Sequence, residues 1–573
     1  MSAPSLIIPP ALFLAGGALL LPFLTRKIRA WFYLAVPLGT LILVILLPAG
    51  EGGHVSLGIF HLILLHNDAL ALVFGLIFAF IALAGAIYSF HLKDTAHQCA
   101  ALLYAAGALG VTFAGDFLTL FIFWETMAFT SLYLIWARNK KESYQAGFRY
   151  LIYHALGGGI LLAGIVIHYQ ATGSLALQSL SPGEGAGAWL ILLGVVINAA
   201  VPPLHTWLAD AYPKATITGA VFLSAFTTKA AVYVLIRVFP GWEILLVAGS
   251  IMTVYGVVLA VLSNDIRGIL AYHIISQVGY MVAGVGLGTA MGLNGSAAHA
   301  FSHILYKALL FMGTGVVLEA TGRSKLTELG GLSRQLKITL ILYMIAAFSI
   351  SGFPLFNGFI SKSMVIAAAE ESHRIWAMFL MLLASVGTFL SVGLKLPYFT
   401  WGGEDKGLKI KKIPLNMHLS MALVAFFCLL HGVKPGLLYQ LLPYPVHFQP
   451  YSTTHLVETI QILSFTLLAF WLFRKKLAPH PEVVLDVDWF YRRPGKVAGQ
   501  LILEKVWAFF TWTDKLAARG VSYLASWLRN PARLPARAGE ELTYSPDRYR
   551  PAIQSILAVL LVVFILIMVL AII

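Results

Sequence analysis

The sequence predicts an all-α polytopic membrane protein with about sixteen spans, and three observations predict it. Of the 573 residues, 59% are hydrophobic and only 11% are charged, whereas a soluble chain carries about 25% charged residues. Apolar runs long enough to cross a bilayer, about 20 residues each, recur along almost the whole length. The basic residues gather in short loops, so the formal charge of +14 points to a membrane surface and not to nucleic acid. Two cysteines, Cys99 and Cys428, give neither a disulfide framework nor metal-ligand spacing.

Taken in order, hydropathy places spans at 5–24, 29–48, 68–91, 98–114, 116–137, 146–170, 188–208, 217–239, 243–263, 267–289, 294–320, 336–363, 375–400, 414–436, 453–473 and 552–573. The first lacks a basic start and is long enough to span, so it is not read as a cleavable signal. Arg26, Lys27 and Arg29 follow span one, and Arg138, Lys140 and Lys141 follow span five. Arg323, Lys325, Arg334 and Lys337 follow span eleven, Lys406, Lys409, Lys411 and Lys412 follow span thirteen, and Arg474, Lys475 and Lys476 follow span fifteen. All follow odd-numbered spans, while 171–187 and 437–452 on the other side carry no Lys or Arg. The positive-inside rule then puts both termini on the non-cytoplasmic side.

The stretch 474–551 departs from plain hydropathy. It includes "DVDWFYRRPGK" and then a long pattern in which Leu503, Val506, Trp507, Phe510, Leu516, Tyr523, Leu524, Trp527 and Leu528 share one face. Glu504, Lys505, Asp514, Lys515 and Arg519 make it too polar to span. An amphipathic helix along the cytoplasmic surface fits, either as a lipid anchor or as a grip on neighbouring spans.

Charges inside the apolar runs are the candidates for function, because a charge at mid-bilayer costs roughly 2.5–3.5 kcal/mol on insertion scales. His299, His303 and Lys307 are spaced four apart. On a helix they form one stripe about 12 Å long at about 1.5 Å per residue. Imidazole accepts a proton on one nitrogen and donates from the other, and a desolvated lysine can change charge in a cycle. The stripe therefore suits a proton relay, with helix–helix hydrogen bonding as the alternative. Glu125 in span five, Lys229 beside Thr227 and Thr228 in span eight, and Lys362 at the end of span twelve join it. Lys395, His154 and His168 are further candidates, Lys395 close enough to a span end to snorkel, with packing as the alternative for either histidine.

Two spans look broken. "INAAVPPLHTWLADAYP" has adjacent Pro202 and Pro203, and "SGFPLFNGF" combines Gly352, Pro354 and Gly358. Proline removes a donor and clashes with the preceding turn, and breaks at membrane depth are tolerated where they line a cavity or are covered by protein. Broken helices at corresponding positions seven and twelve point to inverted repeats. The expected layout is N-terminal spans 1–97, a first five-helix repeat 98–239, a second 243–400, further spans 414–473, the lateral segment 474–551 and a last span 552–573.

The motifs "VPPLHTWLADAYP", "SAFTTKAAVYVLIR", "GILAYHIISQVGYMVAG", "HAFSHILYKALLF" and "GFPLFNGFISK" resemble the antiporter-like subunits shared by respiratory complex I, Mrp-type sodium/proton antiporters and membrane-bound hydrogenases. The resemblance covers roughly residues 60–400 and leans to the D-type subunit of the Mrp antiporters, although the C-terminal tail is longer than such a subunit usually has. It implies two half-channels joined by a polar axis, with Glu125, Lys229, His299, His303, Lys307 and Lys362 in the proton path. One position departs: Asn198 stands where the family usually has a lysine paired with the span-five glutamate. Lys229 is then expected to take over as the partner of Glu125.

The resemblance implies a proton-translocating subunit of a prokaryotic plasma-membrane complex, moving protons alone or in exchange for sodium, with other membrane subunits as partners. No cofactor or nucleotide signature is present, and no redox or hydrolytic chemistry of the chain's own is expected. The rival readings are a stand-alone solute or ion transporter, a non-conducting scaffold subunit, and a quinone-handling subunit, for which no redox pattern is seen.

Overall fold

The computed structural model describes residues 8–481, 485–529 and 553–572. Two compact units divide the chain, Met1–Asp486 and Val487–Ile573.

The first unit opens with α1 (Pro10–Leu20) and α2 (Arg26–Ile45), then an antiparallel hairpin of β1 (Gly50–Leu57) and β2 (Phe60–Asn67). Three spans follow, α3 (Ala69–Tyr88), α4 (Thr95–Phe113) and α5 (Phe117–Trp136), then the long α6 (Lys141–Thr172). A broken pair comes next, α7 (Ala186–Asn198) and α8 (Thr206–Ala211), and after it α9 (Ile217–Ala225) runs into α10 (Thr227–Val238). α11 (Glu243–Leu262), α12 (Ile266–Leu287) and the long α13 (Ala290–Thr321) lead to a second broken pair, α14 (Lys337–Ser351) and α15 (Asn357–Glu371). α16 (Ile375–Thr388) passes through a π-helical stretch, Phe389–Lys395, into α17 (Leu396–Thr400). α18 (Leu415–Val433), α19 (Gly436–Tyr439) and α20 (Thr453–Phe473) complete the unit. The second unit holds α21 (Asp488–Arg492), the 36-residue α22 (Pro494–Arg529) and α23 (Ile553–Ile572).

Among the described residues, twelve helices are long and apolar enough to cross a membrane. The expected sixteen is not reached by that measure. The two broken helices are split into pieces, and the terminal apolar helices Pro10–Phe23 and Ile553–Ile567 are short. Sequence boundaries hold to a few residues elsewhere. The hairpin at 50–67 is unexpected; its β2 alternates only loosely between buried and exposed positions, so the period-2 signal of a strand is weak. Residues 530–552, assigned above to the C-terminal segment, lie outside the described residues.

Two halves of the first unit repeat one local plan, 149 residues apart. Asp116 and Asp265 each cap a helix start, accepting from Thr119 N at 2.7 Å and from Gly268 N at 2.8 Å. Each also lies in an isolated bridge, Asp116 with Ala176 and Asp265 with Lys325. Both 32-residue helices, 141–172 and 290–321, end on a left-handed glycine, Gly173 (φ 69°) and Gly322 (φ 71°). That conformation costs a side chain dearly and a glycine little. With this offset, His154 on α6 and His303 on α13 occupy the same repeat position.

Packing is close because small residues let backbones meet, the usual route where lipid supplies no hydrophobic drive between helices. Along α11 and α12, a Cβ at Gly249, Gly256 or Gly279 would collide with the facing backbone. α13 sits at the centre, packed on α9, α12, α14, α15 and α18 and buried from Gly292 to Val317.

Candidate functional site

α13 presents His299, His303 and Lys307 as one internal stripe, all fully buried. The break between α9 and α10 brings Lys229 to it. The helix is interrupted at Phe226 (φ −96°, ψ −71°), which leaves the Ser224 carbonyl free, and Lys229 Nζ donates to that carbonyl at 2.6 Å. His303 lies within electrostatic reach of Lys229, Lys307, His299 and His273. His299 in turn feels Lys362 and Lys229. Its ring is 6.2 Å from that of His303 and 5.7 Å from that of Tyr280.

Beyond His299 the stripe meets the second break. His299 Nδ1 is 3.2 Å from Ser361 Oγ on α15, and Lys362 follows Ser361 directly. The break uses left-handed Gly352 (φ 77°) and Leu355 (φ 74°), and a Cβ at Gly358 would collide with the Ser349 carbonyl oxygen. Lys362 Nζ donates to the Ile350 carbonyl at 2.7 Å, reaches Ser385 Oγ at 3.4 Å and lies 5.4 Å from the Tyr280 ring centre. It also lines a cavity of 520 Å³ with Glu370, His455, Glu458 and Ser385. The row thus runs from the centre of α13 to a cavity lined in part by charged side chains.

Three nitrogens along the row have no partner among the described residues: Lys307 Nζ and both nitrogens of His303. Buried polar groups are satisfied by protein or by ordered water in nearly every case. A concentration of such groups on one path therefore marks where water belongs.

The remaining candidates sit as follows. Glu125 on α5 is half-buried, its Oε1 without a partner, lying across the α6 backbone so closely that a Cβ at Gly158 would collide with it. No ion pair joins Glu125 to Lys229 among the described residues, which corrects the expected pairing. The physical reason is the interruption at Phe226, beside which the Ser224 carbonyl holds the lysine. Asn198 ends α7 with both side-chain polar atoms buried and unpartnered. His154 is stacked among aromatic rings, 4.1 Å from Tyr150 and 4.6 Å from Trp207. His168 packs edge-on to Phe117 at 5.6 Å. Lys395 is buried and does not snorkel; its Nζ donates to the Val261 carbonyl, near the end of α11, at 2.6 Å.

Several residues escape the sequence reading. His273 on α12 is buried and hydrogen-bonded to Ser391 Oγ at 2.6 Å in the π-helical stretch. Tyr306 OH reaches His299 Nε2 at 3.4 Å and Gln277 Oε1 at 3.5 Å. His273 is detectable as a histidine inside an apolar span, the criterion that finds His299.

Fold and site define a class, a polytopic helical membrane protein with a buried lysine–histidine row between two broken helices. Residues 114–390 match the family model described as NADH:quinone oxidoreductase/Mrp antiporter, transmembrane. The matched stretch runs from α5 through α16. Among curated proteins it is 30% identical over 487 residues to the A-type Na(+)/H(+) antiporter subunit of Alkalihalophilus pseudofirmus, covering 74% of this chain and 60% of that protein. It is 29% identical over 367 residues to an uncharacterized protein of Methanocaldococcus jannaschii, covering 60% of this chain and 76% of that protein. The chain spans about 60% of the length of its A-type antiporter relatives, whereas the motif resemblance leans to the D-type. Among solved structures, the Mrp complex from Dietzia sp. superposes with a TM-score of 0.67 at 23% identity, covering 76% of this chain and 96% of the matched chain. The membrane-bound sulfane sulfur reductase, an archaeal respiratory membrane complex, gives 0.67 at 24% identity, covering 80% and 99%. These structural likenesses speak to fold.

Proposed function

We propose that this chain is an ion-translocating subunit of a multisubunit membrane complex and that it moves protons laterally along Lys229, Lys307, His303, His299 and Lys362. The observation that carries the proposal is the unbroken burial of these five groups on one side of α13, with unpartnered nitrogens in the middle and a polar cavity at the Lys362 end. Neutral imidazole passes a proton by accepting on one nitrogen and releasing from the other. Adjacent buried lysines cannot easily both be charged, because like charges disfavour one another at short range. A proton arriving at Lys229 therefore pushes charge away from Lys307, and so on along the row towards Lys362. Glu125 serves the first half from the α5–α6 face, apart from Lys229.

The Alkalihalophilus pseudofirmus relative is a Na(+)/H(+) antiporter subunit, and exchange of sodium for protons is the corresponding activity here. Other membrane subunits are the partners. The basic loops after odd-numbered spans support a cytoplasmic position for that side and a non-cytoplasmic one for both termini, and the bacterial antiporter relatives support a prokaryotic plasma membrane. The test is dye-monitored cation/proton exchange in everted membrane vesicles holding the full complex. Lys229→Ala should abolish exchange at normal assembly; wild-type exchange in that variant would refute the path.

A further inference from the structure

The first half lacks a lysine at Asn198, yet the same broken helix holds another titratable group. His205 lies in the break between α7 and α8, with a fully buried side chain. Its Nε2 is 3.1 Å and 3.2 Å from the two carboxylate oxygens of Asp486. Asp486 is the last residue of the first unit, in the segment that follows α20, and its side chain is only 4% exposed. Two hydroxyls complete the cluster. Tyr255 OH from α11 donates to Oδ1 at 2.5 Å, and Tyr272 OH from α12 donates to Oδ2 at 2.9 Å. The Tyr255 ring also stands edge-on to His205, 4.9 Å between centres.

Three elements thus converge on one buried carboxylate from a distant part of the chain. Surface attachment needs no such device; an unpaired buried carboxylate is costly and is kept only when donors compensate it. An ionised carboxylate only accepts, so the nitrogen facing it carries the hydrogen. Nε2–H of His205 therefore donates to Asp486, and Nδ1 is left with its lone pair. That Nδ1 is buried and has no partner among the described residues. The other charges of this broken helix are engaged with one another: Asp210 accepts from Arg149 Nε at 2.7 Å and from Lys214.

We infer that Asp486 is a positioning residue for proton transfer in the first half: it holds His205 in the tautomer that presents Nδ1 as a proton acceptor within the α7–α8 break. A proton from hydronium binds Nδ1 to give an imidazolium, the neighbouring carboxylate stabilises that cation, and the proton leaves again from Nδ1. Nε2–H stays in place throughout: as N–H forms at Nδ1, one O–H bond of the donating hydronium breaks and leaves water, and release reverses the exchange. The arrangement parallels the carboxylates that orient histidines at metal and catalytic centres, where loss of the carboxylate typically costs 10–100-fold. It also ties the segment after α20 to the first break. The inference rests on the ion-translocation reading.

The experiment is exchange in vesicles of the full complex, with the amount of assembled complex measured alongside, for Asp486→Asn, Asp486→Glu, His205→Gln, the double variant Asp486→Asn/His205→Gln, Tyr255→Phe and Lys229→Ala. Asp486→Asn should lower the rate about tenfold or more at normal assembly, Asp486→Glu should restore most of it, and the double variant should be no worse than His205→Gln alone, because the two act as one unit. A wild-type rate in Asp486→Asn overturns the inference, as do additive losses in the double variant. If Asp486→Asn fails to assemble, Tyr255→Phe decides: a reduced rate in an assembled complex supports the role, an unchanged rate overturns it. Loss of exchange in Lys229→Ala with none in Asp486→Asn sinks this inference alone, whereas intact exchange in Lys229→Ala sinks the path itself.

Discussion

At the scale of single residues, the separation is between lysines that face the row and lysines that serve a helix end. Lys362 sits between the row and a polar cavity. Lys395, equally buried, satisfies a carbonyl near the end of α11. Lys362→Met should therefore abolish exchange, while Lys395→Met should retain most of it, both compared at equal assembly; equal losses would remove the distinction. His303, with both nitrogens free of protein partners, should be the costlier histidine. His303→Ala should slow exchange by at least about 100-fold, the low end for a positioned proton-transfer group, and a loss below threefold would assign it to packing. The stripe on α13 was legible because charge inside an apolar run is expensive and needs a reason. The partner of Glu125 was not legible. Which carbonyl a lysine reaches depends on the interruption at Phe226, and "SAFTTKAAVY" carries no proline or glycine to announce it.

At the scale of elements, both proline- and glycine-marked breaks were readable from sequence, since each removes helical hydrogen bonds by known chemistry. The hairpin, the α9–α10 interruption and the π-helical stretch were not, because each depends on tertiary neighbours that override local preference. Gly358 is the element-scale test. Its missing side chain lets α15 pass the Ser349 carbonyl, and overpacking typically costs 1–3 kcal/mol. Gly358→Ala should lower the melting temperature of the purified complex, while Gly159→Ala, which meets nothing within 4 Å, should stay within about 0.5 kcal/mol of the parent. Equal melting temperatures for the two variants would show that the close approach at the break is not a stability constraint.

At the scale of the whole molecule, the plan repeated 149 residues apart gives two similar stretches, and the row runs from Lys229 in the first into α13 and α15 of the second. The resemblance carried by the motifs covers this part of the chain, and the family match covers residues 114–390. A long amphipathic helix after span fifteen was legible from its charged and apolar faces, and α22 extends over 36 residues. A chain whose row ends inside a membrane bundle depends on neighbours to complete access. Expressed without its partner subunits, it should give no cation/proton exchange above background, and activity of the isolated chain would favour the stand-alone transporter.

The most direct measurement is made on Lys307, the middle of the row and the lysine whose Nζ has no protein partner among the described residues. Dye-monitored exchange in vesicles containing fully assembled Lys307→Ala complex should fall to background across all sodium concentrations. Exchange at the parental rate in that variant would contradict a continuous proton path through α13.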